Sequence, residues 1–182
     1  MKILNHPNKF KQGVRILILT LRAKDGGKVT KPDRVARKMI SRNEQEFDEC
    51  LNKLNSIAKE NERIYATADP RDMEKGIRIF KERQLEADYY DTDSKYSFYT
   101  DIANRWISAL QSPKARIGTT FLVDVDYEEN DVVKIKNEIK DNNIKIDYEY
   151  KTKNGEHLIL QPFNPGLVSF SCAKNAMMLW GF

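Results

Sequence analysis

Cysteine, histidine and long apolar runs are scarce in this chain, and each scarcity excludes something. Cys50 and Cys172 are the only cysteines and lie far apart without ligand spacing, so neither a disulfide framework nor a zinc site is expected. Both read as buried thiols. His6 and His157 are the only histidines, which excludes chemistry that needs paired imidazoles. No apolar run approaches the roughly eighteen residues of a membrane span, and the N-terminus lacks an apolar block followed by small residues. No membrane contact is expected, and the chain reads as cytoplasmic. It contains no Walker phosphate loop, no Gly-x-Gly-x-x-Gly, no Ser-His-Asp triad, no internal repeat and no low-complexity tract. After Glu156 there is no further Asp or Glu.

What is present suits a heavily charged globular chain, with 32% charged against 40% hydrophobic residues over 182 positions. That length supports one domain, 1–182, with an N-terminal α/β module at 1–113 and a second half at 114–182. The net charge of +4 and a pI near 8.9 agree with a nucleotide or nucleic-acid partner without requiring one. An ordinary lysine-rich surface explains the same numbers.

Residues 1–12 read as a loose polar arm, and Val14 to Leu21 as a strand. Asp25-Gly26-Gly27-Lys28 turns the chain into a basic stretch, with a short helix expected from Pro32 to Ile40 and a groove for phosphate or a solvated face as its use. Ser41 or Asn43 caps a helix from Glu44 to Lys59 with Phe47, Leu51, Leu54 and Ile57 inward. Arg63 to Ala68 reads as a strand, and Asp69-Pro70 as the cap of a helix from Arg71 to about Ala87 with Met73, Ile77 and Phe80 inward. Arg71 and Arg78 read as surface arginines, and Asp88 to Asp93 as an acidic surface linker. A single helix is expected over Tyr96–Leu110, closed by Ser112-Pro113. Its aromatics are read as core in preference to a base-stacking platform.

The stretch from Thr119 to Phe163 carries the chemistry. Phe121 to Asp126 is an apolar strand in which Asp124 and Asp126, two apart, share a face. Two carboxylates so placed repel, and a hard divalent cation bridging to phosphate oxygens relieves the repulsion. The alternative is a strand end running into an acidic turn. Val132, Val133, Ile135 and Ile139 then mark an amphipathic helix, Ile144 to Tyr150 a strand, and His157 to Leu160 a returning strand. The hairpin between them holds Lys151, Lys153, Asn154, Gly155 and His157, donors suited to a phosphate. Leu167 to Phe170 and Ala176 to Trp180 are expected to be strands that close this sheet.

These motifs resemble the archaeo-eukaryotic primase superfamily, which includes primase small subunits and primase-polymerases. Phe121-Leu122-Val123-Asp124-Val125-Asp126 is similar to its Asp-x-Asp strand, and Lys153-Asn154-Gly155-Glu156-His157-Leu158-Ile159-Leu160 to its basic-Gly-x-His hairpin. The resemblance implies an α/β fold with an RRM-like, mostly antiparallel sheet preceded by an α/β N-terminal module. It implies a nucleotidyltransferase that binds NTP or dNTP with Mg²⁺ or Mn²⁺ for DNA or RNA synthesis, with a replication or viral (phage) protein as a candidate partner. Asp124 and Asp126 would hold the metal, and His157, Lys151, Lys153, Asn154 and Gly155 the nucleotide. The chain departs from the family in having Lys151-Thr152 for Ser-Gly and in lacking the third acid. Asn175 is the only stand-in as a metal ligand. A binding-only relative and a metal-dependent nuclease are the alternatives.

Overall fold

The computed structural model describes residues 3–4, 12–21, 34–90, 92–128, 131–174 and 176–181. The fold is mixed α/β, with two antiparallel four-stranded sheets and five α-helices among those residues. The first sheet contains β1 (Arg15–Leu21), β2 (Arg34–Ser41), β3 (Glu62–Thr67) and β8 (Met177–Gly181), in the order β2-β1-β3-β8. The second contains β4 (Phe121–Asp126), β5 (Ile146–Lys151), β6 (Gly155–Leu160) and the short β7 (Ala173–Lys174), in the order β5-β6-β4-β7.

β1 is buried on both faces, which explains why its sequence is a continuous branched run and not an alternation. Leu17 and Leu19 pack with Phe47, Leu51 and Leu54 of helix α1 (Glu44–Ile57). Ile16 and Ile18 pack on the opposite face with Leu110 at the end of α4 (Ile102–Leu110). The α1 start is set as expected, because the Asn43 side chain accepts from the Glu46 N–H at 2.8 Å. The α1 core also takes in Tyr150 and Ile159 from the second sheet and Trp180 from β8. The two sheets therefore share one apolar interior.

Several sequence expectations need correction. Arg34 to Ser41 is the edge strand β2, not a helix, because it pairs along β1 from Arg15↔Ser41 to Leu21↔Arg34. Tertiary pairing overrides the helical reading of its basic residues. Helix α2 (Met73–Tyr90) extends into the supposed acidic linker, and α3 (Thr92–Thr100) follows after Asp91, which lies outside the described residues. The expected Tyr96–Leu110 helix is thus divided between α3 and α4, at Asp101. On α2 it is Ile79 that is buried, while Ile77 is 39% exposed. Asp72, not Asp69, serves the α2 start, accepting from the Lys75 N–H at 3.1 Å. The run Leu167–Phe170 forms no strand, and β8 joins the first sheet rather than closing the second. Within the N-terminal arm, Leu4 is buried and its N–H donates to Trp180 O at 2.8 Å, so that part is docked on β8.

Helix α5 (Val132–Asp141) fixes the orientation of the second sheet. Asp131 caps it, accepting from the Val133 and Lys134 N–H groups. Ile135 and Ile139 pack on Phe121, Val123, Val125, Leu158 and Leu160, which are the odd positions of β4 and the even positions of β6. Strand alternation then sends Leu122, Asp124 and Asp126 to the other face. Leu122 packs against the core shared with the first sheet, so the carboxylates lie on the face turned toward that sheet.

Candidate functional site

The β4–β6 register pairs Asp124 with His157 and Asp126 with Gly155, and the β5–β6 register pairs Tyr150 with His157. Directly opposed residues share a face, so Asp124, His157 and Tyr150 form one row across three strands. Their contacts are direct. His157 Nε2 lies 3.0 Å from Asp124 Oδ1, and His157 Nδ1 lies 2.6 Å from the Tyr150 hydroxyl. The His157 side chain is 8% exposed and that of Asp124 is 73% exposed, so the row runs from the interior to the surface.

Proton positions follow from the partners. An ionised carboxylate only accepts, which places a hydrogen on Nε2. In the neutral ring Nδ1 then carries a lone pair and accepts from the Tyr150 O–H. Burial, with the neighbouring Tyr148, pushes the Tyr150 phenol far above its ordinary range, and the Leu179 backbone N–H acts in the opposite direction. The phenol is therefore neutral and able to donate. Tyr148 stacks 6.4 Å from Tyr150, and burial raises its own pKa to about 12 against the attraction of Arg15.

Asp126 shares the Asp124 face at the strand end, where its Oδ1 accepts from the Glu128 N–H at 3.2 Å. Two hard oxygen donors on one face suit Mg²⁺ or Mn²⁺ when water and phosphate oxygens complete the shell. No cluster of three or more His, Cys, Asp or Glu suited to a metal occurs among the described residues. Asn175 lies outside them, as does His6.

The hairpin residues divide. Lys153 and Asn154 are exposed at the turn, where Asn154 O accepts from the Tyr127 N–H at 3.1 Å. Lys151 sits opposite Glu156, so alternation places it on the α5 face, away from His157. Gly155 is buried, and a Cβ there would come within 1.9 Å of Val125 O. Its glycine is required for the close approach of β6 to β4, which positions the turn beside Asp126. On the α5 face Lys136 Nζ joins Glu149 and Glu156 at 2.8 and 2.9 Å, a brace beneath the site.

Sequence reasoning overlooked two features. Tyr150 was legible, since it has the parity that a tight Thr152–Gly155 turn brings opposite His157; the Thr152 N–H donates to Gly155 O at 2.9 Å. Asp69 and Arg71, read as a cap and a surface group, are instead 2% and 1% exposed. No local pattern reports that burial. Compared with known proteins, the chain matches no family model, no curated protein and no solved structure. No helix is long and apolar enough to cross a membrane among the described residues.

Proposed function

We propose that the protein is a primase-like nucleotidyltransferase that binds a nucleoside triphosphate and a divalent metal on the face of the second sheet. The observation that carries this reading is the convergence of Asp124, Asp126 and His157 on one sheet face turned toward the first sheet. The strand order adds support. In β5-β6-β4-β7, β4 and β5 run parallel on either side of β6 and are joined through α5, the βαββ order of an RRM-like half. The first sheet, apart from its last strand β8, then corresponds to the α/β module that precedes such a half.

Asp124 and Asp126 would hold Mg²⁺ or Mn²⁺, which would neutralise phosphate charge and favour attack of a 3′ hydroxyl on the α-phosphate with release of pyrophosphate. The work of the chain's own residues is positional. Tyr150 fixes the His157 tautomer, so that the Nε2–H is presented at the Asp124 edge, where a phosphate oxygen would replace the Asp124 carboxylate as its acceptor. Lys153 adds positive charge at the rim of the turn. A second reading, a binding-only relative, is favoured by one observation: among the described residues no group of three or more His, Cys, Asp or Glu is placed to hold a metal.

The test is incorporation of labelled NTP or dNTP on primed and unprimed templates with Mn²⁺ or Mg²⁺. The expected result is extension that disappears in Asp124→Asn/Asp126→Asn. Nucleotide binding without extension favours the binding-only reading, and strand cleavage with metal alone favours a nuclease.

A further inference from the structure

Three guanidinium groups and one carboxylate meet where β1, the segment after β3 and the segment before β4 come together. The backbone there is tightly tied. The Arg71 N–H donates to Val14 O at 2.7 Å, the Val14 N–H to Arg71 O at 2.9 Å, and the Ile117 N–H to Pro70 O at 2.9 Å. Arg71 also bridges to Arg116. Gly13, at φ +110°, permits this closeness, since a Cβ there would lie 2.7 Å from Arg71 O.

The charges do not balance. Asp69 accepts from the Thr120 N–H and Oγ1–H at 3.0 and 2.9 Å, and stands 3.7 Å from Arg116 Nε. Arg15 Nη1 is engaged by two neutral carbonyls, Thr67 O at 2.6 Å and Ala68 O at 3.0 Å. Arg71 is 1% exposed, and its buried Nε and Nη1 have no hydrogen-bond partner. One carboxylate thus faces three guanidiniums, and the group whose charge is least compensated is the most buried. Burial, with Arg116 and Arg15 nearby, lowers the Arg71 pKa to about 10 in spite of Asp69. A buried guanidinium with open donors is costly unless an anion answers it.

We propose that Arg71, with Arg15 behind it and the more exposed Arg116 at its rim, binds a phosphoryl oxyanion, either free or as the tail of a nucleotide. An oxyanion brings several acceptor oxygens for donors that are not side by side, and its charge offsets the excess of the cluster. The cluster neighbours Tyr148, which stacks on Tyr150 of the other row, but its argument uses none of Asp124, Asp126 and His157.

The test uses the full chain in EDTA, with inorganic phosphate and pyrophosphate compared to chloride at equal ionic strength. Phosphate should raise the melting midpoint and titrate calorimetrically to one site, whereas chloride should do neither. Arg71→Met should abolish the effect. Should that variant fail to fold, Arg116→Gln should weaken binding by about tenfold or more. The double variant Asp124→Asn/Asp126→Asn should bind phosphate like the wild type, so failure of the nucleotidyltransferase reading leaves this result intact. ATP binding at least about tenfold tighter than pyrophosphate would assign a nucleotide, and equal binding a free anion. Equal melting midpoints in phosphate and chloride would overturn the proposal, as would wild-type binding in both arginine variants.

Discussion

Replacing Tyr150 by Phe isolates the contact that organises the site. The ring fits the same space, so the loss is confined to one hydroxyl, which lies 2.6 Å from His157 Nδ1 in a buried position. In the variant Nδ1 keeps its lone pair without a donor. The ring cannot simply exchange tautomers, because that would turn a bare Nε2 toward the Asp124 carboxylate 3.0 Å away. An unsatisfied buried acceptor costs about 1–3 kcal/mol, and the backbone N–H of Leu179 loses its phenol partner as well. Denaturant unfolding should therefore show Tyr150→Phe destabilised by about 2 kcal/mol. In a double-mutant cycle with His157→Leu the two losses should couple by about 1 kcal/mol or more. The ¹⁵N spectrum of the wild-type ring should report the Nε2–H tautomer in its neutral form. A loss below about 0.5 kcal/mol together with additive variants would refute the reasoning, because surface-like substitutions fall in that range.

Gly155→Ala should lower stability by about 3 kcal/mol or prevent folding, since its Cβ meets backbone oxygen at 1.9 Å and nothing flexible can yield; urea midpoints check this. Lys136→Met should destabilise by about 1–2 kcal/mol, as it strands the largely buried Glu156, and Glu156→Gln in the same background should recover part of the loss. Tyr148 supplies a pH dependence. Its folded pKa of about 12 exceeds the ordinary value of 10.0, so the folded state holds the proton more tightly. Its contribution is complete below pH 10 and is lost as the pH rises through about 12, roughly 2–3 kcal/mol in all. Ultraviolet titration should show a phenol titrating near pH 12, ahead of the still later Tyr150, that is absent in Tyr148→Phe, and the variant should lose less stability over that window.

The site was more legible in the sequence than the architecture around it. Asp-x-Asp on an apolar strand and a Gly-x-His hairpin are local patterns with period-two geometry, and the observed registers place them on one face as that period requires. Lys151 shows the limit of the same rule, because parity sends it to the α5 face. Capping was readable at Asn43, which lies next to its helix. The sequence misled where long-range pairing decides. Arg34 to Ser41 has no strand alternation of its own and extends because β1 offers a partner edge. β8 looks like the end of the second sheet but crosses to β3, pairing Tyr65 with Leu179. Arg71 carries no local sign of burial, since its environment comes from Val14, Arg116 and Asp69, which are distant in sequence or read otherwise.

Calorimetric titration of ATP and dNTPs with Mg²⁺ or Mn²⁺ tests the central claim most directly, in the wild type and in Asp124→Ala/Asp126→Ala. Nucleotide binding that depends on metal and vanishes in the double variant is the predicted result. Absence of metal-dependent binding by the wild type, or its persistence in the double variant, would contradict the assignment of this sheet face as a nucleotidyltransferase site.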